Sequence, residues 1–416
     1  MATATDSRAM KRISLLFAAA VFINYADRGN LSTVAPSLKD ALRMTNTQMG
    51  LLLSAFFWIY APAQLFAGWF AQRFPVRQVL AAGLIIWSLA TIGTGLVSGI
   101  TALFALRLML GVGEAAFFPC SSKLLAEVSP EEERGRANGL NSAGIALGPM
   151  AGTLIGGLIL AQFGWRWVFL SFGLLSLLWL WPWLTTAHPA PLPQPEPDEA
   201  LPPPGYGDLI RQRAAWGAAV GHFCHNYAHY MMLTWMPTYL VKGQGFSLGA
   251  MAAIGGAVYF AQAVGALVSG RLSDRMIEDG SPVNRVRKGF MLAGTGGLGV
   301  CMIACGFAGG QLAALLLLLG GFFSGVGSPM IYTIAQTLAG PRAGGRWMGL
   351  QNFVGNLAGI VAPIITGKVV DVTGSYFWAF ATAGMICGIG LLSWSVVIAT
   401  VAPVRWSSRV RATALV

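Results

Sequence analysis

The run Asn24-Tyr25-Ala26-Asp27-Arg28-Gly29-Asn30 sets a carboxylate beside a guanidinium directly after the apolar stretch ISLLFAAAVFI. A second segment, ALFALRLMLGVGEAAFFPCSSKLL, places Arg107 and Glu114 in equally apolar surroundings. A charge left alone in lipid costs several kcal/mol, so such groups face inward and pair with one another. On helices, Asp27 and Arg28 lie about 100° apart and cannot cancel on one face. Arg107 and Glu114, at i and i+7, share a face about 10 Å apart, and each is expected to meet a charge on the other segment. Arginine keeps its proton, whereas a carboxylate stripped of water can be tuned to take one up near neutral pH. Asp27 and Glu114 are therefore the proton-carrier candidates, and Arg28 and Arg107 the fixed positive points. An anion that competes with a carboxylate for one guanidinium links binding to protonation, which is the coupling that symport requires. The alternative, a helix-end pair reaching for the interface, is opposed by LSTVAP, which continues the segment.

A second constellation lies in GHFCHNYAHYMMLTWMP. His222, His225 and His229, at i, i+3 and i+7, form one helical face with Asn226 and Tyr227 close by. Two readings stand: titrating or substrate-lining imidazoles, and packed, hydrogen-bonded ones. Zinc would need a facing acid or cysteine, and Cys224 points elsewhere, so no metal is expected. Tyr25, Tyr60, Tyr227, Tyr230, Trp235, Tyr239, Tyr259 and Tyr332 can line a route and donate hydrogen bonds. Asn352 and Asn356 share a face beside Gln351, suited either to substrate hydrogen bonding or to holding helices together. The five cysteines sit in or near apolar segments without partner histidines, as packed side chains do. No phosphate-binding loop, nucleotide fingerprint or HExxH motif occurs. The expectation is no cofactor, no ATP hydrolysis and no enzyme chemistry; a membrane-embedded enzyme has only the histidine face to rest on.

These residues need elements to hold them. The chain of 416 residues is 55% hydrophobic and 10% charged, with mean hydropathy +0.62; ordinary soluble domains carry about 25% charged residues. Apolar runs repeatedly reach ~20 residues, the length that crosses a bilayer. Periodicity and breakers predict twelve helical spans: 12–36, 47–72, 77–98, 100–126, 135–162, 165–185, 214–241, 247–273, 288–307, 310–338, 344–370 and 374–400. Between the sixth and seventh runs a proline-dense segment, TTAHPAPLPQPEPDEALPPPGYGDLIRQR, which cannot form a buried helix. The expected organisation is an all-α membrane protein: a six-helix bundle over 1–185, a linker over 186–213, and a second bundle with a short tail over 214–416.

Basic residues alternate between loops. Twenty fall on the side of both termini and the linker, five on the other, and two within spans. That bias places the termini in the cytoplasm. Because the formal charge of +11 is scattered in short clusters, there is no continuous face for nucleic acid. The first apolar run continues past signal-peptide length and carries Asp27 and Arg28 where cleavage would fall, so no cleavable leader is expected. Internal echoes support two pseudo-symmetric halves. NYADRGNLSTVAP from Asn24 is answered by NYAHYMMLTWMP from Asn226, and GWFAQR from Gly68 by GRLSDR from Gly270, each pair 202 residues apart. RANGLNSAGIALGPMAG from Arg136 is loosely matched from Arg346. Parallel repeats of this kind build twelve-helix facilitators. Small residues Gly139, Ala143, Gly148 and Gly152 suit close helix packing.

NYADRGNLSTVAP, RLMLGVGEAAFFP, PEEERGRANGLNSAGIALGPMAGTLIGG, FGWRWVFL and NYAHYMMLTWMPTYL together resemble the anion:cation symporter family of the major facilitator superfamily. The resemblance implies two six-helix bundles around a central site that opens alternately to each side. It also implies a multi-pass plasma-membrane protein, expected in a bacterial inner membrane, acting as a monomer on a small organic anion and protons. On matching positions Arg28 would hold the substrate carboxylate, Asp27 and Glu114 would exchange protons, and Arg107 would couple them. Tyr25, Tyr60, Asn352 and Asn356 would be pocket contacts. Direction stays open between uptake and export or exchange. The gating loop departs from the superfamily pattern: Gln72 stands where an acid is usual before Arg73, and Pro75 where a glycine is usual, while the second half keeps Asp274 and Arg275. Asp274 is therefore expected to carry more of the gating.

Overall fold

The structure is a computed structural model that describes residues 4–43, 46–128, 134–186 and 204–406. Most of the 186–213 linker, residues 130–133 of the PEEERGRANG segment, and Arg409 and Arg411 lie outside the described residues.

Twelve long helices follow in order: α1 (Ala4–Ala41), α2 (Asn46–Arg73), α3 (Val76–Leu96), α4 (Ile100–Ala115, resuming as Phe117–Val128), α5 (Arg134–Phe163) and α6 (Trp165–Leu178, resuming as Leu180–Thr185). A one-turn helix, Tyr206–Leu209, then leads to α7 (Arg213–Thr238, extended by the π-helical turn Tyr239–Gly243), α8 (Leu248–Glu278) and α9 (Val283–Phe307). The helical run Gly310–Asn356 is broken at Gly340, where φ is 62°, so α10 covers 310–339 and α11 covers 341–356 and continues as Ala358–Thr373. The last, α12, is Tyr376–Leu392 with the π-helical turn Ser393–Val397. Eight stretches among the described residues are long and apolar enough to cross a membrane, one of them running over both α10 and α11.

The breaks have local causes. A proline removes one backbone donor and crowds the carbonyl four residues earlier. Pro119 thus acts on Ala115, where α4 is interrupted, and Pro182 on Leu178, where α6 is interrupted. Gly340 adopts the positive φ that lets α10 turn back into α11.

Packing explains why the charged segments sit where they do. A Cβ at Gly144, Gly148 or Gly152 would come within 2.8, 2.6 and 2.5 Å of the carbonyls of Ala18, Phe22 and Ala26. One stripe of α5 therefore lies backbone to backbone against α1. The expected small-residue row divides between two partners, since Gly139 and Ala143 turn instead to Ala266 and Ala263 of α8. On α4, Gly111 abuts the Phe56 carbonyl and Gly113 the Trp87 backbone. Glu114 is thereby fixed between α2 and α3, one turn from the rings of α2.

Candidate functional site

Arg28 and Glu114 form a buried ion pair between α1 and α4. Arg28 Nε donates to Glu114 Oε2 at 2.8 Å, and Nη2 stands 2.8 Å from the same oxygen. The two side chains are 6% and 0% exposed. Three rings enclose the guanidinium, with the centroids of Tyr25, Phe56 and Tyr60 at 4.4, 4.5 and 4.5 Å from Cζ. Cation–π attraction there takes the place of lost hydration. Arg28 Nη1 and Glu114 Oε1 nevertheless have no hydrogen-bond partner among the described residues. A buried donor and a buried acceptor thus remain free for a ligand or a proton.

The second expected meeting of charges does not occur. Asp27 accepts from Thr91 Oγ1 at 3.4 Å and from Asn30 Nδ2 at 3.5 Å. Arg107 is buried, its Nε without a partner and its Cζ 5.6 Å from the centroid of the Phe169 ring. Among the described residues neither takes part in an ion pair, although the two charges act on each other across the gap. The cause is angular: a turn of about 100° between neighbours sends Arg28 toward α4 and Asp27 toward α3. The four groups are clustered and none faces lipid, but they form one pair, not two.

The late helices supply the opposite wall. Tyr230 donates to Asn356 Oδ1 at 2.6 Å, and Asn356 Nδ2 donates to the Asn352 carbonyl at 2.9 Å, which leaves Asn352 Nδ2 unpartnered. Tyr230 packs edge-on against Phe57 with centroids 4.9 Å apart, and Tyr332 stacks on Phe118 at 5.3 Å. Gln351 is spent on structure, accepting from Trp347 and donating to the Ile331 carbonyl. Sequence reasoning placed Tyr230 and Tyr332 only in a general group of aromatics and missed Phe56, Phe57 and Phe118. The spacing of Phe56 and Tyr60, at i and i+4, was the available signal; it became meaningful only once α2 was known to face α1.

The three histidines are buried, and each meets a different helix. His222 packs against Gly355 of α11 with its ring centroid 6.0 Å from that of Tyr332; His225 lies 3.5 Å from Ser324 Oγ of α10; His229 Nδ1 lies 3.3 Å from Gln262 Nε2 of α8. No group of three metal-ligating side chains is found among the described residues. Asn226 donates to the Gly355 carbonyl at 3.2 Å, and Tyr227 turns to another face of α7 beside Phe223. Among the described residues, nitrogens without a hydrogen-bond partner remain on all three rings: His222 Nδ1, His225 Nδ1 and His229 Nε2.

Two seams join early to late helices on the side that carries the linker. At the first, α8 meets α5: Asp274 Oδ1 pairs with Arg287 at 2.7 Å while Oδ2 accepts the backbone N–H of Arg136, in the first turn of α5, at 2.6 Å. Arg287 also donates to Ser273 at 2.6 Å. At the second, α2 meets α11: Gln72 donates to the Arg342 carbonyl at 3.3 Å, and Tyr206 of the linker donates its hydroxyl to the Leu65 carbonyl. Arg73 and Arg275 are exposed, Arg73 lying over the Trp69 ring. Arg287, in the first turns of α9, is the partner that Asp274 uses.

A helical bundle of membrane-spanning length, with a charged cluster sealed between its early and late helices, defines a multi-pass membrane carrier. The sequence model of the Major Facilitator Superfamily matches residues 17–284 and 255–414, and the chain belongs to that superfamily, in its anion-transporter branch. It is 30% identical over 387 residues to a probable sulfoacetate transporter of Cupriavidus necator, covering 89% of this chain and 90% of that protein. It is 29% identical to a hexuronate transporter of Bacillus subtilis, covering 94% of each. Its fold is that of the proton:xylose symporter XylE, with TM-score 0.75 and 14% identity over 94% of this chain and 96% of that one.

Proposed function

We propose proton-coupled uptake of a small organic carboxylate by alternating access, with Arg28 as the anion anchor and Glu114 as the coupled acid. One observation carries this reading: the Arg28–Glu114 pair is buried, and each partner keeps an unsatisfied polar atom. A substrate carboxylate entering beside Nη1 competes with Glu114 for the guanidinium. Uncompensated charge is expensive in a dry site, so the displaced Glu114 takes up a proton as the anion arrives. Charge balance at this pair then gives one proton for each carboxylate. Asp27, held by Thr91 and Asn30 within the field of Arg107, is a second proton site. The late wall reads the rest of the ligand through Asn352 Nδ2, His222 Nδ1 and His229 Nε2, all buried and unpartnered. The relatives' names, a sulfoacetate transporter and a hexuronate transporter, agree with a compact anion bearing a second polar end: a sugar acid, an aromatic acid or a dicarboxylate.

The two seams close the linker side, which the distribution of Lys and Arg places in the cytoplasm. Bonds that cross between early and late helices, from Gln72 to the Ser328–Ser142 contact, lie on the linker side of Arg28. The cluster is therefore poised to receive substrate from outside, with Asp274 holding the inner gate.

Screening sugar acids, aromatic acids and dicarboxylates by thermal shift supplies a substrate, and acid-driven accumulation in proteoliposomes then tests coupling and direction. Arg28→Ala is expected to abolish binding. Glu114→Gln is expected to keep binding and exchange but lose accumulation. Full accumulation by the Glu114→Gln protein removes Glu114 from the coupling role, and efflux without acid-driven uptake would turn the reading to export.

A further inference from the structure

A cavity lies away from the charged cluster. It has a volume of about 660 Å³ and runs between α2, α3 and α4, lined by Ile59, Ala63, Phe66 and Phe70 on one side and by Ala82, Gly83 and Val112 on the other. That is within the range of ~300–1,000 Å³ typical of ligand pockets. Its wall is apolar throughout except for Gln78. Phe66 is 67% exposed and Phe70 43% exposed, so the cleft opens toward the bilayer. Pro62 lies within α2 along one wall, and α4 is broken at Ala116 along the other. Gly83 would drive a Cβ to within 2.7 Å of the Gly113 carbonyl, so the floor is backbone and cannot fill the space. Phe56 and Tyr60, which enclose Arg28, lie on the α1-facing side of α2, and the cleft is thereby separated from the proposed substrate route.

Charge identifies the occupant. The cleft ends at Phe74 in the turn between α2 and α3, flanked by Arg73 and Arg77, both exposed. The Arg73 guanidinium lies over Trp69, whose ring is 6.4 Å from that of Phe74, so the cation is seated at the mouth. No Asp or Glu occurs in the sequence between Asp40 and Glu114, and Lys123, which pairs with Glu127 at 3.8 Å, donates to the Ala71 carbonyl beside the turn at 2.8 Å. Helix α3 also starts without a side-chain cap, which adds backbone N–H groups of the kind that favour an anion.

We propose that this cleft is a binding site for one anionic phospholipid, its acyl chain between α2, α3 and α4 and its phosphate on Arg73 and Arg77. The lipid fills the space beside Pro62 and braces the end of α2 that carries Gln72. The cleft binds its lipid whichever anion the central site transports.

The test uses the purified full-length protein in neutral detergent, with dioleoylphosphatidylglycerol, dioleoylphosphatidylcholine and inorganic phosphate as probes, read by native mass spectrometry and melting. The glycerol lipid is expected to be retained at least tenfold better than the choline lipid, and its advantage to fall roughly fivefold for each arginine removed. In the Arg73→Ala/Arg77→Ala protein the preference should vanish while lipid-free melting stays unchanged. Ala82→Phe, or Ala63→Phe where that protein folds poorly, should lose both lipids by filling the cleft. Equal retention of both lipids by the unaltered protein, or a preference that survives the double substitution, would overturn the proposal. Stabilisation by inorganic phosphate as large as that by lipid would remove the cleft as the seat of the chain.

Discussion

Gln72 and Asp274 stand 202 residues apart, at the same point of GWFAQR and GRLSDR, and both sit where an early helix meets a late one. The backbone geometry of the two seams is nearly the same. A Cβ at Gly349 would lie 2.8 Å from the Gln64 carbonyl and 3.5 Å from Gly68 Cα; one at Gly139 would lie 3.1 Å from the Ala266 carbonyl and 3.5 Å from Gly270 Cα. The polar chemistry laid over that geometry differs. Asp274 accepts an N–H from the first turn of α5 and is neutralised by Arg287. Gln72 donates to a carbonyl of α11, and its seam gains a neutral hydroxyl from the linker through Tyr206. Close approach of small residues is thus common to both closures, while the buried Asp274–Arg287 pair belongs to the first.

The sharpest way to break this comparison is to remove the carboxylate. Asp274→Asn removes the carboxylate that pairs with the fully buried Arg287 guanidinium. Loss of one partner from a buried pair costs about 3–5 kcal/mol. We expect a fall in melting temperature, opening of the linker side and loss of concentrative transport. Adding Arg287→Gln should recover part of the melting loss, because the orphaned charge is then gone. Gln72→Ala should be mild by comparison. Equal effects at Gln72 and Asp274, in melting or transport, would show that the two seams close by the same means.

The helices were legible in the sequence because each spans a hydrophobic run bounded by Pro, Gly or charge, and even the Pro119 and Pro182 breaks follow from a local rule. The buried charges were equally visible, since Asp27, Arg28, Arg107 and Glu114 have no business in lipid unpaired. What could not be read was their pairing. Arg28 and Asp27 diverge by a helical step, and which one meets Glu114 depends on the rotation of α1, set by Gly148 and Gly152 on the carbonyls of Phe22 and Ala26. The histidine face was read correctly as a face, yet its neighbours come from α8, α10 and α11, which no local pattern reveals. Arg287 was hidden for the same reason: a loop arginine and a buried latch look alike until α8 and α9 are packed.

A second experiment sharpens the shared part of the comparison. At Gly349 and Gly68 an added Cβ would stand 2.8 Å from the Gln64 and Gly345 carbonyls, and backbone must move to admit it. At Gly139 the nearest atom is the Ala266 carbonyl at 3.1 Å, which a few tenths of an ångström would relieve. Overpacking of this kind costs about 1–3 kcal/mol. Gly349→Ala and Gly68→Ala should therefore lower melting and favour the open linker side, with Gly139→Ala at the weak end of the range. A larger loss at Gly139 than at Gly349 would mean that the α5–α8 seam, despite its latch, is the tighter in backbone contact.

The smallest expected effect tests how the linker is held to the α2–α11 seam. Tyr206→Phe removes one hydrogen bond, to the Leu65 carbonyl, for a loss of about 1 kcal/mol. Burial pushes the Tyr206 phenol up to about 12. The donating, neutral form is thus present at all lower pH, and its contribution is lost only as pH rises through that value. The melting difference between Tyr206→Phe and the unaltered protein should accordingly stay constant from about pH 5 to about pH 9. It should also be insensitive to salt, because a neutral donor and a carbonyl carry no charge to screen. An offset that changes with pH in this window would place a titrating group, not this hydroxyl, at the α2–α11 junction. Absence of any offset would take the Tyr206 hydroxyl out of the gate and leave Arg346, which donates to the Pro204 carbonyl at 2.7 Å, as the linker's tie to α11.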